Sequence, residues 1–277
     1  MAKLTEIIEI KSALEQNPSF EDEITAGYKD IFSGHPWHED KICKNALVKD
    51  KEDKPKCQIQ YTARTCEKFD LNKETGEISN DCRGSYAKRE GIVLLTKDLK
   101  TCKGCGDKLE VVDFYPTFTD HVELFREAIE EDGFIGFAGA DGRKIVGFSW
   151  GYPVPQKPTK AVRFDLINPM LEEKNIDLEK TFYASETGVL DTYQSGGIGT
   201  ALSGKRLSVA KEQGYDSVVT RTISSIVVAY FRKTFGGKEG ETLFKDPERA
   251  SSWFKWNFKD FDAEYIQQKI QSVVGKT

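Results

Sequence analysis

Histidine is scarce in this 277-residue chain: there are three, and none sits in a His-Glu-x-x-His pattern. A helical zinc hydrolase needs two imidazoles one turn apart with a glutamate base between them, so that class is excluded. Long apolar runs are also missing. No stretch approaches the roughly 18 residues of a membrane helix, so no membrane partner is expected. The opening Met1-Ala2-Lys3-Leu4-Thr5-Glu6 leads into an amphipathic pattern rather than a signal-peptide core. The expectation is a soluble, cytoplasmic protein. Basic charge is in short supply too: 40 Lys and Arg face 45 Asp and Glu, a net charge of −5, so nucleic acid is not an expected partner. Disorder is excluded by the 38% of hydrophobic residues, enough for a core beneath 31% of charged ones. The length suits two domains rather than one.

Cysteine is absent from the second half. Cys43, Cys57, Cys66, Cys82, Cys102 and Cys105 all fall within residues 39–110, a Lys/Asp/Asn-rich stretch of weak periodicity. Residues 41–108 carry 16 basic and 11 acidic side chains, so the rest of the chain is markedly acidic. A segment with so few large apolar residues needs a staple to hold a core, and in a reducing compartment a metal is the usual one. Residues 39–110 therefore read as an inserted module, between residues 1–38 and 111–277.

Residues 1–32 read as two helices, one on Leu4, Ile7, Ile8 and Leu14, the next on Ile24, Tyr28, Ile31 and Phe32 after the break at Asn17-Pro18. A capping box at Asp120 and Glu123 opens another helix. Strands over 134–139 and 144–152 flank the hairpin turn Asp141-Gly142. Residues 155–180 form a loop with one short helix. A strand over 181–191, a helix over 199–213, a strand over 217–223 and a helix over 225–234 follow. A hairpin of 241–245 with 251–258 and a terminal helix after Phe261 finish the chain.

The junction between strand and helix near residue 195 holds Gly196, Gly197 and Gly199. Glycines there let the main chain approach an anion closely and aim successive N–H groups at it, and the helix N-terminus adds its positive dipole end. A Walker loop is excluded, because Thr200 follows Gly199 without the lysine. A Rossmann fingerprint is excluded as well, because the turn comes late, after a hairpin.

The spacing Gln194-x-x-Gly197-x-Gly199 behind a strand resembles the pyrophosphate loop of the GNAT superfamily of N-acetyltransferases, as does the element order over about residues 19–38 and 111–260. Tyr230-Phe231-Arg232-Lys233-Thr234-Phe235 is similar to the family's tyrosine-x-x-x-glycine-phenylalanine ending, with Thr234 in place of the glycine. The resemblance implies an α+β fold with a mixed, mostly antiparallel sheet flanked by helices, the Cys-rich insertion being zinc-ribbon-like. It implies acetyl-CoA as co-substrate. Ser195, Gly196, Gly197, Ile198, Gly199 and Thr200 would hold its pyrophosphate together with Gln194. The main chain around Val189 and Leu190 would pair with the pantetheine arm, and Ser225 would open the next helix beside it.

Transfer to an amine requires that the ammonium lose a proton before attack. Glu186, alone among uncharged neighbours in its strand, is the expected base, and it lies where many members of the family carry theirs. Tyr230 falls at the family's position for the acid that protonates the departing thiolate. With no thiol in the second half, direct attack in a ternary complex is expected rather than an acyl-enzyme.

Cys102-Lys103-Gly104-Cys105-Gly106 has the form of a zinc knuckle, two thiolates two residues apart with glycine relieving the turn. A thioredoxin-like redox site would need a βαβ context, which is missing. The other ligands come from Cys43, Cys57, Cys66, Cys82, His35 and His38; Cys43 and Cys66 are the pair expected, giving a structural Zn2+. By the resemblance, the insertion borders the acceptor side of the cleft, with Trp37, Glu39 and Asp40 at its root. The sequence reads as an acyl-CoA-dependent N-acyltransferase acting on a primary amine, small molecule or protein. The alternative is a catalytically weak CoA-binding scaffold whose zinc module recruits protein or RNA. The oligomeric state stays open, a homodimer included.

Overall fold

The computed structural model describes residues 3–33, 39–62, 70–71, 78–79, 92–222, 225–248 and 251–275. The chain forms two compact units, one of Met1–Tyr28 with Glu123–Thr277 and one of Lys29–Val122.

The first unit is built on a seven-stranded sheet in the order β1-β8-β9-β10-β11-β13-β12. Its strands are β1 (Glu6–Glu9), β8 (Ile135–Asp141), β9 (Lys144–Pro153), β10 (Thr181–Val189), β11 (Ser217–Thr222), β12 (Glu241–Lys245) and β13 (Ser252–Asn257). All pairings are antiparallel except β10 with β11. The helices are α1 (Ile10–Gln16), α2 (Phe20–Ser33), α3 (His121–Glu130), α4 (Phe164–Glu173), α5 (Ile198–Glu212), α6 (Ser225–Thr234) and α7 (Ala263–Val273). The result is the mixed, mostly antiparallel α+β fold expected.

One expectation is corrected at the N-terminus. The segment read as a first helix is divided: Glu6–Glu9 is a strand registered against Phe137–Ala140, and only Ile10–Gln16 is helical. Two adjacent isoleucines suit both states, and the unpaired edge of β8 decides for the strand.

Helix α5 is buried nearly all round, with Ile198, Ala201, Leu202, Leu207 and Ala210 in the core alongside Phe182, Val218, Phe231 and Trp256. Burying each such aromatic contributes about 1.5–3 kcal/mol. Gly204 makes the packing of α5 on α7 possible, since a Cβ there would lie 2.4 Å from Ile266 Cδ1. Tyr28, Phe148 and Trp150 form a separate stack, with centroids of Phe148 and Trp150 4.5 Å apart.

The second unit carries a four-stranded sheet in the order β6-β3-β2-β7, from β2 (Lys41–Cys43), β3 (Gln60–Thr62), β6 (Ile92–Leu94) and β7 (Val111–Asp113). A two-residue pairing joins β4 (Asp70–Leu71) to β5 (Ile78–Ser79). Its small core gathers Cys43, Cys57, Tyr61, Val93 and Cys102. Sulfur thus supplies three of these five core side chains.

Strand β10 has one irregularity that matters for everything below. Tyr183 faces Tyr152 and Glu186 faces Trp150, so Ala184 and Ser185 oppose the single residue Gly151. A Cβ at Gly151 would lie 2.3 Å from the Tyr183 carbonyl oxygen, so only glycine allows the two strands this close at the bulge. Gly151→Ala is accordingly expected to lower the unfolding free energy by about 1–3 kcal/mol in denaturant titrations, the usual cost of overpacking. An unchanged midpoint would show that the bulge does not depend on this approach.

Candidate functional site

The bulge separates two halves of β10. Thr181, Phe182 and Tyr183 pair with Ser217, Val218 and Val219 of β11, and Thr220 Oγ1 donates to the Ala184 carbonyl at 3.0 Å. Past that point β11 pairs only with β13, while β10 continues along β9 from Glu186 to Val189. The second half of β10 thus has a main-chain edge with no strand on it among the described residues. Leu190 N–H donates to Val146 O on β9 at 2.9 Å, so strand alternation turns the main-chain groups of Val189 and Thr187 toward the open side. An extended amide-bearing chain can pair there as an added strand.

The glycine turn lies at the end of this edge. Residues 191–193 make one 3₁₀ turn, and Gln194 Nε2 donates to Val189 O at 3.0 Å, tying the loop to the strand. Tyr193 Oη donates to Asp141 Oδ2 at 2.7 Å and fixes the loop to the β8–β9 hairpin. Ser195 and Gly197 have φ of +63° and +88°, left-handed values that fold the main chain back before α5. Gly197 is the helix N-cap and lacks a capping side chain, and the first turn of α5 holds no acidic residue. The first N–H groups of a helix have no intrahelical acceptor, so Ile198, Gly199 and Thr200 present donors at an uncompensated dipole end. A Cβ on Gly199 would sit 3.4 Å from Val189 Cγ2, which puts this donor cluster beside the open edge. Together they suit a ligand with an anionic group at one end and amides along its length.

A cleft of about 370 Å3 opens beside the bulge, lined by Tyr28, Trp150, Tyr152, Ser185 and Glu186, with Glu127 and Glu131 from α3 and the loop after it. Burial raises the Glu131 pKa above the ordinary carboxylate value, and the charges of Glu127 and Asp132 add to this against Lys157. Burial also raises the Tyr152 phenol. Aromatic walls and three carboxylates make the cleft a place for a cation. The bulge positions Glu186, whose charge is felt by both Tyr152 and Arg206.

Tyr230 projects from α6 into the interior of the unit. Its hydroxyl is buried, with the Arg206 guanidinium and the Ser203 hydroxyl as its polar neighbours. Burial raises its pKa, and the Arg206 charge opposes that shift. Ser225 is the first residue of α6. The glycine loop, the open edge, Glu186 and Tyr230 all belong to the first unit.

Cys43, Cys57, Cys102 and Cys105 converge in the second unit, with all four sulfurs within 4.8 Å of one another. Cys66 lies outside the described residues, as do Cys82, His35, Trp37 and His38. Cys57 was not the expected partner. It arrives because β2 pairs with β3, Lys41 opposite Tyr61, which brings the end of one strand next to the start of the other. The Cys43–Cys105 and Cys57–Cys102 separations are 4.0 and 3.6 Å. A tetrahedral zinc with Zn–S bonds of about 2.3 Å requires sulfurs about 3.8 Å apart, so the donor set fits the ion. Tyr61 Oη donates to Cys102 Sγ at 3.1 Å and Asn45 Nδ2 to Cys105 Sγ at 3.3 Å. Burial pushes the Cys102 thiol up, but the Tyr61 hydroxyl and the main-chain N–H groups of Cys105 and Gly104 outweigh it and bring the pKa down to about 6. Burial holds Cys43 and Cys57 high. At the root of the module, Glu39 accepts a hydrogen bond from the Tyr115 hydroxyl, and Asp40 O accepts one from Phe114 N–H.

No protein-family model and no curated protein matches the chain. Solved structures do. A GNAT-family acetyltransferase from Desulfovibrio desulfuricans is 16% identical, with 50% of this chain and 78% of that one covered at a TM-score of 0.35. The PaiA N-acetyltransferase from Thermoplasma acidophilum, solved with coenzyme A, is 9% identical over 49% of this chain and 68% of its own, TM-score 0.34. The CoA-dependent acyl-homoserine lactone synthase BjaI is 14% identical over 52% and 66%, TM-score 0.39.

Metal analysis of the purified protein tests the cysteine cluster. About one zinc per chain is expected, falling to near zero in Cys57→Ser and staying at about one in Cys66→Ser. Retention by Cys57→Ser with loss in Cys66→Ser would move the fourth ligand.

Proposed function

We propose that this protein is an acyl-CoA-dependent N-acyltransferase that moves acetyl to a primary amine in a ternary complex. The observation that carries the reading is the junction of an anion-binding loop with an unpaired strand edge: the N–H groups of Ile198, Gly199 and Thr200 stand beside Val189. Coenzyme A has a pyrophosphate followed by an amide-bearing arm, the order of groups that this junction would take. Ser195, Gly196 and Gly197 shape the loop, Gln194 braces it, and Val189 and Leu190 lie where the arm begins.

The acceptor enters through the acidic, aromatic cleft as an ammonium. Glu186 takes its proton, the freed nitrogen attacks the thioester carbonyl, and the C–S bond breaks with its electron pair on sulfur while the nitrogen sheds its second proton to solvent. Tyr230 returns a proton to that thiolate. The cysteine cluster serves as a structural Zn2+ site: four thiolates close the tetrahedron and leave no position for substrate, so the ion would hold the second unit together.

Calorimetric titration with acetyl-CoA tests the cofactor site, with Gly199→Glu as the control. Gly199 has ordinary helical geometry and room for a side chain, whereas Gly197 at φ +88° does not tolerate one without strain. Micromolar binding is expected for the wild type and none for the charged variant. Glu186→Gln is expected to bind acetyl-CoA as tightly as wild type yet release thiol about 10²-fold more slowly across a panel of primary amines. Binding without turnover on any amine would favour the scaffold, and no binding by folded protein would end the acyltransferase reading.

A further inference from the structure

Arg206 is a charged residue in an apolar place. It lies in the middle of α5, 1% exposed, and no ion pair engages it among the described residues. Burial works against its charge, and the groups nearest it are Tyr230, Glu186 and Tyr183. A guanidinium removed from water without a counter-ion is costly, so it persists where its geometry serves something else.

Half of that geometry is accounted for. Nη1 donates to Trp150 O at 2.5 Å and to Glu186 O at 3.1 Å, bridging the two strands where the register shift breaks their ladder. The other half is not. Arg206 Nε is buried with no acceptor, and the buried Tyr230 Oη lies beside the guanidinium. The next hydroxyl, Ser203, is already engaged with Ser149 and Thr187 in a triangle of 3.0 Å contacts. A buried cationic donor with spare capacity beside a buried phenol suits the ionised form of that phenol better than the neutral one.

We propose that Arg206 is a positioning residue for the transfer, its guanidinium being the preformed counter-charge for the phenolate that Tyr230 becomes. This rests on the acyltransferase reading. When the C–S bond breaks, sulfur keeps the electron pair and takes the Tyr230 proton. The phenolate is then held by Arg206 until it regains a proton from solvent, while Glu186 gives up the proton it took from the ammonium. The nitrogen's second proton leaves to solvent, so that the reaction releases one proton overall. No net proton is gained or lost by the protein. Through Glu186 O, the same guanidinium fixes the main chain of the base, so one buried cation serves both ends of the proton path.

Two measurements test this, and the first needs no activity. With tyrosine labelled at 13Cζ, and Tyr230→Phe assigning the resonance, the Tyr230 ionisation is followed by NMR in wild type and in Arg206→Met, whose apolar side chain has similar length. The proposal expects ionisation at least about one pH unit higher in the methionine variant. Equal ionisation in both, or none in either below about pH 11.5, would overturn it. Should Arg206→Met not fold, Arg206→Lys decides: a titration within about half a unit of wild type supports the counter-charge, and a larger rise overturns it. The second measurement is turnover. Arg206→Met and Tyr230→Phe should each cost at least about tenfold in kcat with little change in the acetyl-CoA KM, and the double variant should be no slower than Tyr230→Phe. Losses that multiply would mean the two act separately. A wild type inactive on every amine would sink the acyltransferase reading, while the NMR result would still judge the pair.

Discussion

The whole first unit turns on a single extra residue in β10. Opposing Ala184 and Ser185 to Gly151 shifts the strand by one position, and three consequences follow. The strand parts from β11 and leaves a main-chain edge open. Glu186 is set into the wall of the cleft. Arg206 donates to the carbonyls of Trp150 and Glu186, one on each strand at the break. A straight ladder through this region would close the edge and remove the reason for a buried guanidinium. Such irregularities are costly to a sheet and are retained where they re-aim a side chain or end a pairing.

Charge is distributed with the same economy. The loop side of the unit offers donors and a helix dipole with no acidic residue in the first turn of α5. The cleft gathers carboxylates, and Glu131 is held above its ordinary pKa by burial and by Glu127 and Asp132. The two ends of the open edge therefore favour ligands of opposite sign. In the second unit sulfur plays the part that apolar bulk plays in the first, with Tyr61 and Asn45 donating to the thiols.

Much of this was legible in the sequence, for local reasons. The glycine turn could be read because a left-handed main chain leaves little choice but glycine at Gly197, and the strands and helices from residue 121 onward have strong periodicity and clear caps. What escaped depends on contacts distant along the chain. Cys57 has no cysteine two residues away to announce a knuckle; its place is set by the pairing of β2 with β3. Arg206 carries no local signal, since nothing in its sequence neighbours reveals the broken ladder whose carbonyls it meets. Glu6–Glu9 looked helical because two isoleucines satisfy either period, and the edge of β8 made the choice.

The arrangement also orders events in time. Glu6 pairs with Ala140, and Leu4 N–H bonds to Val273 O near the other end of the chain. Strand Glu6–Glu9 must therefore wait until the second unit and β8 have been made, and Leu4 is tied down only after α7. Contacts of such sequence separation form slowly because a long loop must close first. Meanwhile the second unit, continuous in sequence from Lys29 to Val122, has the pairings of its described sheet within reach. During synthesis the second unit is free to fold early, while strand Glu6–Glu9, two isoleucines between two glutamates, stays unpaired until β8 follows it out.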